Sequence, residues 1–213
     1  MKIQSKLSPA LKPYKSVIVM AIMLSTAGIM AFALNADVDP KVTTPVVAVK
    51  KDSVASVKAF AAVYKVLMSP RCMNCHPSGN TPLQGDDSHL HTMLPKRGVE
   101  GKGVLAMKCA NCHQAENTPG LHTPPGNPNW HLPPDSMKMV FQGRTARQLA
   151  KQLMDPKQNG HKDMKKLIEH ADDGLVLAGW NPGEGRSLPP ISHAAFKKAW
   201  LKWLNTGAYA PSK

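Results

Sequence analysis

Two five-residue stretches carry every thiol in the chain. Cys72-Met73-Asn74-Cys75-His76 and Cys109-Ala110-Asn111-Cys112-His113 share one spacing, and together they use all four cysteines of the 213 residues. C-x-x-C-H is the attachment signature of c-type haem. Two thiols at that separation reach the two vinyl groups of one porphyrin, and the adjoining imidazole comes up beneath the iron. Other chemistries use part of the pattern. Paired C-x-x-C knuckles can hold zinc, and a C-x-x-C pair can cycle through a disulfide. Neither needs a histidine at the same offset after both pairs. Two covalently bound haem c groups are therefore the expected cofactors, attached at Cys72, Cys75, Cys109 and Cys112, with His76 and His113 as proximal iron ligands.

The surroundings repeat as well. Residues 71–82 read RCMNCHPSGNTP and residues 108–119 read KCANCHQAENTP, identical at seven of twelve positions. This is a short duplicated element, too short for a solenoid repeat.

Each iron has a second axial position, and its occupant bears on function. His89 and His91 stand two apart between the motifs, so in an extended loop both imidazoles leave the same side. Both are candidate distal ligands; the ordinary alternative is a pair of solvated loop residues. His170 falls one turn after Leu167 on an expected helix and is the third candidate. His131, after Trp130 in a Pro-rich turn, is weaker, and so is Met139, whose usual fate is core packing. Trp180 can pack on a porphyrin edge, and Arg186 can pair with a propionate, or both can simply belong to the turn at Pro182-Gly183.

With these motifs the stretch 69–119 resembles bacterial multihaem c-type cytochromes. More broadly, the chain after its N-terminal segment resembles a group of small exported dihaem cytochromes. The shared features are PLQGDDSHLH at 82–91, CHQ at 112–114, PPGNPNWHLPP at 124–134 and HADDGLVLAGWNPGEGR at 170–186. Members are sometimes labelled isoquinoline oxidoreductase subunits. The resemblance implies an electron acceptor for a dehydrogenase.

The elements that must position these groups follow from pattern. Val57, Phe60, Ala61, Tyr64, Leu67 and Met68 recur at helical spacing over 53–68. Asp52 or Ser53 caps the start, and Pro70 marks the stop. Residues 70–134 hold ten of the nineteen prolines and seven of the fifteen glycines, so regular structure is sparse there apart from a short helical turn at each motif. Helices resume from Thr145 to Met154, over about 162–171 with a cap near Asp163, and after Ser192 until Gly207. The expected fold is all-α and loop-rich, a c-type cytochrome organised around two covalent haems, with no sheet of consequence.

Residues 1–15 carry Lys2, Lys6, Lys12 and Lys15 and no acid, and residues 16–34 carry no charge. Ala31, Ala33 and Ala36 supply a cleavage-like ending, so 1–36 reads as a signal peptide or an uncleaved anchor. Either delivers the chain to the periplasm, and a membrane is involved only if the segment is kept. Residues 37–51 read as a linker and 52–213 as the dihaem domain. Removing 1–36 takes four lysines and no acid, which lowers the formal charge from +13 to +9. No nucleic-acid motif accompanies the excess. An acidic redox partner protein, such as a periplasmic dehydrogenase, fits it better.

Two functions compete. An electron carrier needs both irons closed and a docking surface. A haem enzyme, a peroxidase or small-oxide reductase, needs one open iron and an acid/base group beside it. No paired acid constellation is visible, so the carrier is the expected reading.

Overall fold

The computed structural model describes residues 51–212. The segment read as a signal or anchor, and the linker up to Lys50, lie outside the described residues.

The first helix, α1 (Ser53–Leu67), begins where Asp52 turns its carboxylate onto the Ala55 N–H. Phe60, Val63, Val66 and Leu67 make its buried face. Pro70 follows the stop, and it also opens the next element, the single turn α2 (Pro70–Met73), because proline has no N–H to lose at a first helical position. After the loop-rich middle come α3 (Ala146–Met154), α4 (Met164–His170), α5 (Gly174–Ala178) and α6 (His193–Asn205). Thr145 and Gln148 form a reciprocal capping box at α3. Asp163, Asp173 and Ser192 cap the other three through side-chain oxygens. The helix α5 was not expected, since its five residues are too few to show a period.

The regular structure of the described residues is mostly helical, with little strand. Two minimal antiparallel ladders brace the loops: β1 (Leu83–Gln84) with β2 (His89–Leu90), and β3 (Gly103–Val104) with β4 (Met107–Lys108). Each closes a tight turn next to a motif.

The core lies where α1 and α6 run along each other, with α3 and α4 closing it. The few aromatics are concentrated there. Phe60 and Trp203 approach to 4.7 Å between ring centres, and Trp200 sits 5.2 Å from Trp203. Their polar edges are satisfied: Trp200 Nε1 donates to the Leu167 carbonyl at 2.7 Å and Trp203 Nε1 to that of Tyr209 at 3.1 Å. Both motifs lie in the Pro/Gly-rich stretch; the first touches the core through Cys72 and through Phe141, on which His76 stacks.

Candidate functional site

Each motif winds into one helical turn. In the first, Cys75 N donates to Cys72 O at 3.2 Å and His76 N to Met73 O at 2.9 Å. In the second, Cys112 N and His113 N both donate to Cys109 O, at 3.1 and 2.9 Å. A bond between positions three apart brings both thiols of a pair to one side, with the histidine next to them.

Each histidine is then fixed in the same way by a downstream segment. Phe141 N donates to His76 O at 2.9 Å, which docks residues 139–142 on the first motif. His76 Nδ1 lies 2.7 Å from the Met139 carbonyl, and its ring stacks on Phe141 at 3.9 Å and 10°. At the second motif, Asn127 N donates to Gln114 O at 2.9 Å. His113 Nδ1 lies 2.7 Å from the Pro125 carbonyl, and its ring stacks on Trp130 at 4.1 Å and 7°. A carbonyl can only accept, so Nδ1 carries the proton in both rings and the Nε2 lone pair is free. Burial keeps both imidazoles neutral. It pushes the His76 pKa down to about 4, against the pull of the Met139 carbonyl, and lowers that of His113. Two neutral imidazoles with free Nε2 atoms are ready-made metal ligands.

The thiols of the first pair are buried more deeply than those of the second. Burial raises Cys72 to about 12 and Cys75 to about 11. It raises Cys109 as well, while Cys112 is exposed. All four thiols are free. Among the described residues, no three of His, Cys, Asp and Glu gather as a metal cluster.

The five candidates for the distal positions separate. The His91 ring lies 6.4 Å from that of His113, their planes at 71°. Two metal–nitrogen bonds of about 2 Å plus the two ring radii span about 6 Å, so one metal ion fits between such rings. His91 Nδ1 accepts a 3.2 Å bond from Met93 N–H, which ligation through Nε2 would have to displace. His170 ends α4, and its charge is felt at His76. Its Nδ1 faces Asp173 Oδ2 at 3.9 Å, leaving Nε2 free. Leu167 is fully inside, but the His170 side chain is 38% exposed, so it faces the rim rather than the core. His89 pairs with Asp87 at 2.6 Å on the surface. His131 Nδ1 turns to the nearby Asn129 carbonyl at 2.5 Å. Met139 takes the left-handed backbone region at φ +51°, which aims its carbonyl at His76. Its sulfur packs toward the core and accepts from Gln152 Nε2 at 3.5 Å.

Trp180 and Arg186, open between a haem contact and a turn, make contacts within the protein. Trp180 Nε1 donates to the Ile191 carbonyl at 2.8 Å. Arg186 directs its fork onto the carbonyls of Pro182, His122 and Thr123. Both tie loops together instead of presenting a polar group to a cofactor. Phe141, the Pro125 carbonyl and Arg97 were missed. Only PPGNPNW, with a lone tryptophan in a proline run, gave a signal for the second platform.

Two observations test whether a haem suits these sites. Four buried side-chain polar atoms lack partners among the described residues: Arg71 Nε and Asn74 Oδ1 at the first motif, and Ser88 Oγ and Arg97 Nε in the loop between the two motifs. Orphaned buried polar groups are rare in a finished fold. In addition, Leu90, Met93, Leu94, Val99, Val104 and Leu105 are exposed apolar side chains in one stretch of the loop between the motifs. A flat apolar group covering them would remove that exposure. The residues fit the group.

No family model matches the chain, and neither a curated protein nor a solved structure does.

Proposed function

We propose that the chain is an exported c-type cytochrome that holds two haems and carries single electrons. The observation that carries this reading is the duplicated proximal arrangement. Twice, a C-x-x-C-H turn presents a neutral imidazole whose Nδ1 meets a backbone carbonyl at 2.7 Å and whose ring lies flat on an aromatic. A redox disulfide has no use for that, and a zinc knuckle does not need the histidine at the same offset after both pairs.

In this reading Cys72, Cys75 and His76 hold one haem, and Cys109, Cys112 and His113 hold the other. When bound, the haems supply a one-electron iron couple. The chain does the rest. The Met139 and Pro125 carbonyls fix the tautomer of the two proximal imidazoles, and Phe141 and Trp130 fix their rotation. His91, whose ring lies 6.4 Å from that of His113, would be the residue to hold the second iron from its distal side, and His170, with its Nε2 free, would be the one to hold the first. Imidazoles at both distal positions would leave none open to a substrate, which is the arrangement a carrier needs and a peroxidase or reductase does not.

The basic, then apolar N-terminal segment supports delivery to the periplasm. A donor or acceptor there is an acidic redox protein, such as a periplasmic dehydrogenase, attracted by the excess of lysine and arginine.

Mass and absorption spectra of the protein, produced in a host that attaches haem, test the reading. The expected result is the mass of the chain plus two haems, low-spin spectra, and no change when carbon monoxide meets the reduced protein. A colourless product, or one weighing only its amino acids, refutes it. A carbon monoxide shift in half of the signal turns it toward the enzyme.

A further inference from the structure

Arg97 is the most deeply buried cation among the described residues, at 1% exposure. It sits in the loop between the motifs, pinned by Arg97 N to Asn80 O at 2.7 Å and Gly103 N to Arg97 O at 2.9 Å. Its Nη1 donates to the Pro133 carbonyl at 2.6 Å and its Nη2 to that of Gly79 at 3.1 Å. Both acceptors are neutral. Nε is buried and has no partner.

No carboxylate among the described residues forms an ion pair with it. The acid whose charge reaches it, Asp135, is held by Lys138 at 3.2 Å. Arg71, also buried at its side chain, differs in having Asp86 at 2.5 Å. A buried charge without a counter-charge is among the least favourable things a fold can contain. An anion absent from the polypeptide must therefore face Arg97. Its neighbourhood says which one: Gly79 lies three residues after His76, and the Arg97 charge acts on the Cys75 thiol.

We propose that Arg97 is the charge partner of the haem at the first motif. Its free Nε donates to a carboxylate of that haem, and its cation raises that centre's reduction potential. The proposal rests on the dihaem reading above. The sign follows from charge: ferric iron carries one positive charge more than ferrous, so a fixed cation nearby favours the ferrous form. Burial reduces the screening that would weaken this effect at a surface. Arg97 is a positioning and tuning residue and takes no part in bond chemistry.

Redox titration of the two-haem protein, compared with R97Q and R97K, tests it. R97Q is expected to lower one of the two midpoints and leave the other in place. R97K, which keeps the charge, restores most of the loss. A purely structural role would move neither midpoint, or would shift both through loosened loops that lysine does not repair. Should R97Q fail to retain both haems, infrared redox-difference spectra of protein labelled with ¹³C at the guanidinium carbon decide. An isotope-sensitive arginine band is expected in the step of one centre only, and it is lost in R97K. Two-haem protein with unmoved midpoints in R97Q, or without that band, overturns the proposal alone. Protein that carries no covalent haem overturns the dihaem reading and this proposal with it.

Discussion

At the scale of single residues, the histidines are sorted by what their Nδ1 atoms touch. His76 and His113 donate to carbonyls, so their Nε2 atoms are unprotonated and free. His89 gives its ring to Asp87, and His131 turns to its own loop. His91 and His170 have the location, one facing His113 and the other acting on His76. Replacing either with alanine should therefore open one of the two irons. In H91A, and separately in H170A, about half of the haem absorption is expected to turn high-spin and respond to carbon monoxide, by the loss of one axial ligand in two. H89A is the control and should leave the spectrum as it is. A low-spin spectrum in H91A that ignores carbon monoxide removes His91 from the second centre.

The elements divide between those that hold the core and those that hold the sites. The α1–α6 pair is the core, and Trp203 at its centre is fully buried against Phe60 and Trp200. Trp203→Ala should cost about 3–5 kcal/mol in a denaturant titration, the usual loss for a large buried aromatic. Ser192→Ala removes the oxygen that accepts Ala195 N–H at 3.3 Å and should cost about 1 kcal/mol, leaving the spectrum unchanged. Gly126 is a site element. Its N–H donates to Asn117 Oδ1 at 2.8 Å, and a Cβ there would run into the Glu116 carbonyl. Because Pro125 precedes it, Gly126→Ala should displace the carbonyl that His113 uses. The expected result is an altered second centre and an intact first one, read by redox titration. Equal disturbance of both centres would mean the two segments are not independent supports.

For the molecule as a whole, charge and apolar surface bear on partners. The chain carries a formal +13, and +9 without residues 1–36. The exposed apolar stretch 90–105 and the exposed Cys112 put the second motif nearer to solvent than the first. Association with an acidic redox protein should slow steeply as salt rises toward 0.15 M, where the screening length is about 8 Å. Stopped-flow rates across a salt series measure this, and a flat response argues for apolar docking instead. No helix of the described residues is long and apolar enough to cross a membrane. The mass of the mature N-terminus distinguishes a cleaved signal from an anchor.

Local signals made much of this legible in advance. The caps at Asp52, Thr145, Asp163 and Ser192 are short-range events, each settled by a side chain and an N–H two or three residues away. The buried faces of α1, α3 and α6 are likewise written in a 3.6-residue period. The two motifs needed only a spacing of two and an adjacent histidine. The loop stretch 70–134 has no period, and its partners lie far along the chain. Nothing near His76 announces Met139 or Phe141, more than sixty residues on, and nothing near Cys75 announces Arg97. By itself, then, the sequence determined the longer helices and the helical turns of the two C-x-x-C-H motifs, because both are set by neighbours within a turn. Only the tertiary structure decided that His91 faces His113, that Met139 offers its carbonyl while its sulfur turns to the core, and that Arg97 lies buried without a carboxylate. Those outcomes depend on how distant loops close on one another.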